Sequence, residues 1–290
     1  MPNYGTLVMG PAGAGKSTFC ASLIQTLRSM KRPTYYINLD PAAETFAFEP
    51  DWDIRDLISV SDAMEELGLG PNGGLMYCFE YLSENMSSLL ECIDSVTQEF
   101  LIIIDMPGQI ELYTHVQIVP NFVKELTRKQ DVQLCAVYLL EATFVLDKAK
   151  FFAGSLGAMS AMMLMGIPHL NVLSKMDLLK GRIGKRELKK FVQNDVEMLV
   201  DLDDGDGFEF ENGEVLDANE GKKTEKGFAR LNTAVARLIE EMGLVSYLKL
   251  NADDEDSVKA ILSHIDHAIQ YQEAQEVREE EFGELNDADG

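Results

Sequence analysis

The stretch TLVMGPAGAGKSTFCASLIQTLRSM, residues 6–30, constrains the fold of this chain more than any other. An apolar run, YGTLVMG (4–10), reads as a buried strand. It leads into GPAGAGKS (10–17), and an apolar helical pattern follows at once. Gly10, Gly15, Lys16 and Ser17 fill the spacing GxxxxGKS, with Gly13 and Ala14 inside the loop and Thr18 just behind it. A strand, a glycine-rich loop and a helix in this order turn successive backbone N–H groups onto a phosphate. The positive end of the helix adds to that field. Lys16 is placed to reach β- and γ-phosphates, and the Ser17 hydroxyl is placed to ligate Mg2+.

Other apolar runs extend this pattern: TYYINLD (34–40), FLIIIDM (100–106), QLCAVYLLE (133–141), HLNVLSK (169–175) and YLKLN (247–251). They read as fully buried strands with helical segments between them. That alternation predicts an α/β domain, with a mainly parallel sheet covered by helices on both faces. Together with the phosphate loop, it makes the chain a P-loop NTPase, a class that includes switches, motors and small-molecule kinases.

Two further motifs narrow the choice. LIIIDMPGQIE (101–111) ends a buried strand on Asp105, where a carboxylate can hold Mg2+ directly or through water. Gly108 can offer its N–H to a γ-phosphate. Gln109 can orient an attacking water, because its amide both donates and accepts, and Glu111 is near enough in sequence to assist. The second motif is SKMD (174–177) at the end of a later strand. A buried Asp177 carboxylate would accept from guanine N1–H and its exocyclic amine and would repel adenine. Lys175 can lay its stem along a base. Ser174 stands where Asn or Thr is usual in this guanine motif, and it reaches less far. Asn251, after the last strand, sits where a base-contacting loop belongs. The plain alternatives are a Pro-Gly turn for the first motif and a capped helix start for the second.

With 290 residues, 46% of them hydrophobic, the chain can bury one large core. Its net charge of −24 argues against nucleic acid as a direct partner. The four cysteines have no CxxC spacing and read as reduced thiols. The N-terminus has no signal-peptide pattern. The uncharged stretch 151–174 contains Pro168, His169 and Asn171, and it reads as a helix and a strand, not a membrane span. Its methionine-rich helix, FFAGSLGAMSAMMLMGIP (151–168), reads as core packing. Residues 201–227 are acidic and aperiodic, a mobile insertion within a nucleotide-binding domain expected to span 1–272. An EF-hand register there would put Leu202 and Gly213 at ligand positions, which excludes a calcium loop. Residues 273–290 read as an acidic disordered tail. The four histidines show no metal-binding spacing. The expected compartment is the cytosol, with shuttling to the nucleus.

LGPNGG (69–74) carries turn chemistry: proline fixes φ, and glycine and asparagine tolerate φ > 0. On that ground it reads as a surface loop. Taken with the other motifs, it makes the chain resemble the GPN-loop GTPases over about residues 4–271. The resemblance rests on GPAGAGKS, NLDPAAE (38–44), GPNGG (70–74), DMPGQIELYTH (105–115) and SKMDLL (174–179). The closing HIDHAIQY (264–271) is most like the third eukaryotic paralogue. The resemblance implies GTP hydrolysis to GDP with Mg2+, and pairing with itself or a paralogue. It also implies a role in RNA polymerase II assembly and nuclear import, with polymerase subunits and assembly factors as partners. Asp40 in NLDPA is implied to lie near Mg2+ or the catalytic water. The bottom-up reading agrees only that an acid ending a parallel strand faces the ligand crevice. Relatives of this class often supply a lysine to the partner from inside the P-loop, where this chain has Pro11. The resemblance implies that Asn72 crosses to the partner's phosphates instead.

Two other readings compete with a GTPase switch. One is a P-loop kinase of a nucleoside, a nucleotide or a polynucleotide end. Such kinases gather phosphates with arginine-rich lids, and no arginine cluster is present. The other is a nucleotide-dependent scaffold with negligible turnover.

Overall fold

The computed structural model describes residues 2–96, 99–193 and 246–273. The insertion expected at 201–227 and the tail after residue 273 lie outside the described residues.

Three strands form the middle of the sheet: β1 (Asn3–Met9), β4 (Leu101–Asp105) and β5 (Val132–Glu141). Around them lie β2 (Thr34–Asn38), the short β3 (Trp52–Asp53), β6 (His169–Ser174) and β7 (Tyr247–Lys249). The order is β3-β2-β4-β1-β5-β6-β7, and every pairing is parallel. Alternate residues feed opposite faces, as the period of a strand requires. On β1, Leu7 and Met9 join one core and Tyr4 and Val8 the other; on β4, Ile102 and Ile104 face opposite to Leu101 and Ile103. A sheet buried on both faces needs apolar residues at every position, which explains the unbroken runs in the sequence.

Helix α1 (Lys16–Ser29) covers one face with Phe19, Leu23, Ile24 and Leu27, beside α9 (Glu255–Ala268), the last helix among the described residues. The other face lies under α3 (Pro71–Glu84), α4 (Ser87–Ser95), α6 (Ile118–Lys129) and α7 (Lys148–Met165). The short helices are α2 (Val60–Leu67), α5 (Glu111–Thr114) and α8 (Lys185–Gln193). The methionine-rich segment is core as expected: in α7, Phe151, Ala158, Ala161 and Met165 are buried. The uncharged stretch divides into α7 and β6, and among the described residues no helix is long and apolar enough to cross a membrane.

The Gly-Pro-Asn segment departs from the expected loop. Gly70 is the N-cap of α3, and Pro71 and Asn72 form its first turn. Proline fits there because its missing N–H would have no partner in the first turn and its φ is already helical. The glycines that follow also serve this chain. A Cβ at Gly74 would stand 3.0 Å from Met64 Cγ and 3.3 Å from Val60 Cγ1, so its absence lets α3 lie close against α2.

His169, which opens β6, gives the fold a pH dependence. Both its ring nitrogens are buried, without a hydrogen-bond partner among the described residues, and the ring stacks on Tyr138 with centroids 6.1 Å apart. Burial pushes its pKa down to about 4, whereas an unfolded histidine titrates near 6.5. Above pH ~6.5 both states are neutral and the difference costs nothing. As pH falls below that, the unfolded chain takes up a proton that the folded chain refuses, so stability is lost towards pH ~4. The loss between pH 7 and pH 5 should be about 2 kcal/mol. Urea unfolding at the two pH values should show it, and His169→Phe should remove that part. An equal acid loss in the variant would assign it to other groups.

Candidate functional site

All the phosphate-binding candidates lie along one edge, at the carboxyl ends of parallel strands, where α/β sheets hold their ligands. The P-loop follows β1, Asp40 follows β2, Asp105 ends β4, and SKMD ends β6. Register fixes the spacing: Val8 pairs with Asp105, and Asn38 pairs with Asp105 on its other side.

In the P-loop, Gly10, Gly13 and Gly15 all have positive φ, and Gly15 caps α1. Lys16 is buried, with its Nζ donating to the Pro11 carbonyl at 3.2 Å. Burial lowers its pKa, against the pull of Asp105 and Asp40. Ser17 and Thr18 open the helix on its exposed side. Ser17 lies close enough to Asp105 to favour the charged form of its carboxylate.

Asp105 is 1% exposed, and among the described residues its Oδ1 has no hydrogen-bond partner. Its Oδ2 lies 3.4 Å from the Tyr36 hydroxyl. Burial is the main cause of its pKa rising to about 6; nearby Asp40 adds to the rise, and Ser17 and Lys16 oppose it. Burial also raises the pKa of Asp40, whose Oδ1 accepts from the Ala42 N–H at 3.0 Å. Two carboxylates, one buried and one half-buried, near a hydroxyl and with one oxygen unpartnered among the described residues, suit a hard divalent cation that prefers oxygen ligands. Mg2+ characteristically binds through one or two carboxylates plus phosphate oxygens and water. Ser17, Asp40 and Asp105 therefore fit Mg2+ as a set.

The DMPGQ segment lies on the P-loop. A Cβ at Gly108 would stand 2.8 Å from Ala12 Cα, so only glycine allows this approach. Tyr113, fully buried on α5, places its hydroxyl 2.8 Å from both the Gly10 and the Pro107 carbonyls. Its one proton is shared between the two loops. Gln109 Nε2 donates to Asn72 Oδ1 at 2.8 Å. Asn72 thus meets the glutamine of its own chain, a contact the sequence reading did not foresee. That bond leaves Gln109 Oε1 as an acceptor for a water proton. Glu111 is exposed at the start of α5.

The base-reading candidates behave differently from one another. The Ser174 hydroxyl is buried and donates to the Ala14 carbonyl at 2.6 Å, so it braces the P-loop and does not wait for a base. Lys175 has a positive φ, and its Cε lies 3.9 Å from where a Gly15 Cβ would be. Its ammonium donates to Glu141 at 3.1 Å. Asp177 is exposed, not buried as expected, because the turn Met176–Leu179 carries it to the surface. Asn251 is close by: Met176 N–H donates to the carbonyl of Leu250 at 3.2 Å. Tyr36, Tyr113 and Glu141 are site residues that the sequence reading missed.

A family model described as "Conserved hypothetical ATP binding protein" matches residues 8–271. Proteins named GPN-loop GTPase 3 align along nearly the whole chain. The one from Aspergillus fumigatus is 53% identical, with 100% of each chain covered, and the one from Gibberella zeae is 54% identical, with 96% of each covered. That from Saccharomyces cerevisiae is 47% identical over 96% of this chain and 97% of its own. Among solved structures, an apo GTPase from Pyrococcus abyssi superposes with a TM-score of 0.70, covering 91% of this chain and 97% of its own. At 18% identity that likeness establishes the fold alone. The family description says ATP and the relatives' names say GTPase; the near-full-length relatives are the more specific comparison, and SKMD agrees with them. With the P-loop, the DMPGQ and SKMD segments and the Gly-Pro-Asn helix start all in place, the chain belongs to the GPN-loop GTPase family.

Proposed function

We propose that this chain binds GTP and hydrolyses it to GDP, as a switch that pairs with itself or a paralogous family member. The observation that carries the reading is the meeting of Lys16, Asp40 and Asp105 at one sheet edge, with Asp105 Oδ1 unpartnered among the described residues. Lys16 and the P-loop N–H groups bind phosphate oxygens. Gln109, steadied by Asn72, accepts from the attacking water and aligns it. Mg2+ bound by Ser17, Asp40 and Asp105 would neutralise phosphate charge. Asn72 Nδ2 takes no part in the bond to Gln109, so it can still donate to a partner's nucleotide across a dimer. Pro11, having no charge, makes such a donor useful.

The cellular role we propose is assembly and nuclear import of RNA polymerase II, with polymerase subunits and assembly factors as partners and passage between cytoplasm and nucleus. Family membership supports it. Phosphate release from GTP should persist under excess ATP. Pull-downs with the chain locked by a GTP analogue or by GDP should recover polymerase subunits in one state more than in the other. Equal competition by ATP would overturn the nucleotide reading, and state-independent or absent capture would overturn the cellular one.

A further inference from the structure

Asp40 is held by a network that runs from its own NLDPAAE segment out to Asp53 and Arg55, which no motif includes. Asn38, the last residue of β2, is fully buried. Its side-chain amide brackets the backbone of Asp40: Nδ2 donates to the Asp40 carbonyl at 3.1 Å, and Oδ1 accepts from the Asp40 N–H at 3.0 Å. The same Nδ2 donates to Asp53 Oδ1 at 2.9 Å. Asp53 lies on β3, paired directly with Asn38. Arg55 closes the network. Its Nε and Nη2 donate to Asp53 Oδ2 at 2.9 and 2.7 Å, and its Nη1 donates to the Ala43 carbonyl at 2.9 Å. The guanidinium also lies 4.6 Å from the Phe46 ring centroid.

We propose that Arg55 is a positioning residue for hydrolysis, acting through Asp53 and Asn38 to hold Asp40 where it serves nucleotide-bound Mg2+. Asp40 sits at the start of a turn whose other end is Ala43: Ala42 N–H binds its carboxylate, and Ala43 N–H binds its carbonyl at 3.1 Å. Arg55 and Asn38 grip that turn at opposite ends. A planar fork can hold a carboxylate and a carbonyl at once, which a lysine ammonium on its flexible stem cannot match. The Arg55 side chain is 33% exposed, so truncating it opens no hole in the core.

This inference rests on the reading of Asp40 as an Mg2+ residue, and its test separates the two. The probe is a fluorescent, slowly hydrolysed GTP analogue, titrated with Mg2+. Arg55→Ala should raise the Mg2+ concentration at half-maximal binding about 5-fold, the scale of one lost hydrogen bond. Arg55→Lys should fall between the variant and wild type. GDP binding without Mg2+ should stay within about 2-fold, because no Mg2+ contact is then at stake. Asp40→Ala should raise the Mg2+ midpoint, and adding Arg55→Ala to it should shift the midpoint no further. If Asp40→Ala moves the midpoint and Arg55→Ala does not, the positioning role fails while the site reading stands. A full Arg55→Ala effect in the Asp40→Ala background would also overturn the role, since Arg55 would then act elsewhere. If Asp40→Ala leaves the midpoint unmoved, both fall. Should Arg55→Ala fail to fold, Arg55→Lys carries the test, and wild-type behaviour in it overturns the proposal.

Discussion

Gln109→Ala should slow single-turnover GTP hydrolysis about 100-fold while leaving GTP affinity within a few-fold of wild type, as expected for a group that acts on the transition state. Among the described residues Gln109 makes no hydrogen bond to the P-loop; its amide is held by Asn72. It therefore has little part in ground-state binding. Lys16→Ala should do the opposite and weaken GTP binding about 10- to 100-fold, the range for a charge-assisted hydrogen bond to a phosphate. The Lys16 ammonium now rests on the Pro11 carbonyl, within the loop that takes the phosphates. Burial has already lowered its pKa, so an arriving phosphate gains a donor with little water left to shed. Equilibrium binding and single-turnover rates measured on the same samples separate the two effects. Parallel loss of rate and affinity in Gln109→Ala, with a mild Lys16→Ala, would exchange the roles.

The readable parts of the chain are those whose physics is local. Fully buried parallel strands must be apolar throughout, so β1, β4 and β5 stand out as LVM, LIII and LCAVYLL. The P-loop is legible because its glycines, its lysine and the start of its helix are adjacent in sequence. The strand β3 was missed because two residues, Trp52 and Asp53, cannot show a period. The start of α3 was misread for a different reason. Gly-Pro-Asn has the composition of a turn, yet glycine also serves as an N-cap and proline as a first helical residue. What chooses between the two is the packing of α3 on α2 at Gly74, which composition does not encode.

The supporting residues of the site were hidden by sequence distance. Tyr113 reaches Gly10 across 103 positions, and Ser174 reaches Ala14 across 160. Glu141 holds Lys175 because β5 and β6 set it opposite Ser174. Asn38 and Asp53 meet because β2 and β3 pair in that register. Each of these roles depends on strand order, and motif spacing carries no information about strand order. The Ser174 result shows the consequence. Its place in SKMD suggested a base contact, whereas the fold turns its hydroxyl towards the P-loop.

Asp177→Asn should shift nucleotide preference from guanine to xanthine, with GTP weakened and xanthosine triphosphate strengthened by about 100-fold or more each, the scale of mismatched hydrogen-bond readout. Guanine presents two donors, N1–H and the exocyclic amine, and a carboxylate accepts both. An asparagine amide keeps one acceptor and adds donors, which suits the C2 carbonyl of xanthine. The structure places Asp177 on an exposed turn next to Lys175, whose stem lies by Gly15, where the phosphate cradle meets α1. The turn is tied to the Asn251 loop through Leu250, so the residues that would surround a base share one backbone frame. An exposed side chain on a surface turn can be changed with little effect on folding. Melting curves of the ligand-free variant should therefore overlay those of wild type, which isolates the specificity change. Competition among GTP, ATP and xanthosine triphosphate for a fluorescent nucleotide, in both proteins, reads the result. Equal affinity of the wild-type chain for ATP and GTP would remove Asp177 as the base reader. A variant that lost GTP without gaining xanthosine triphosphate would leave it as a residue that shapes the turn.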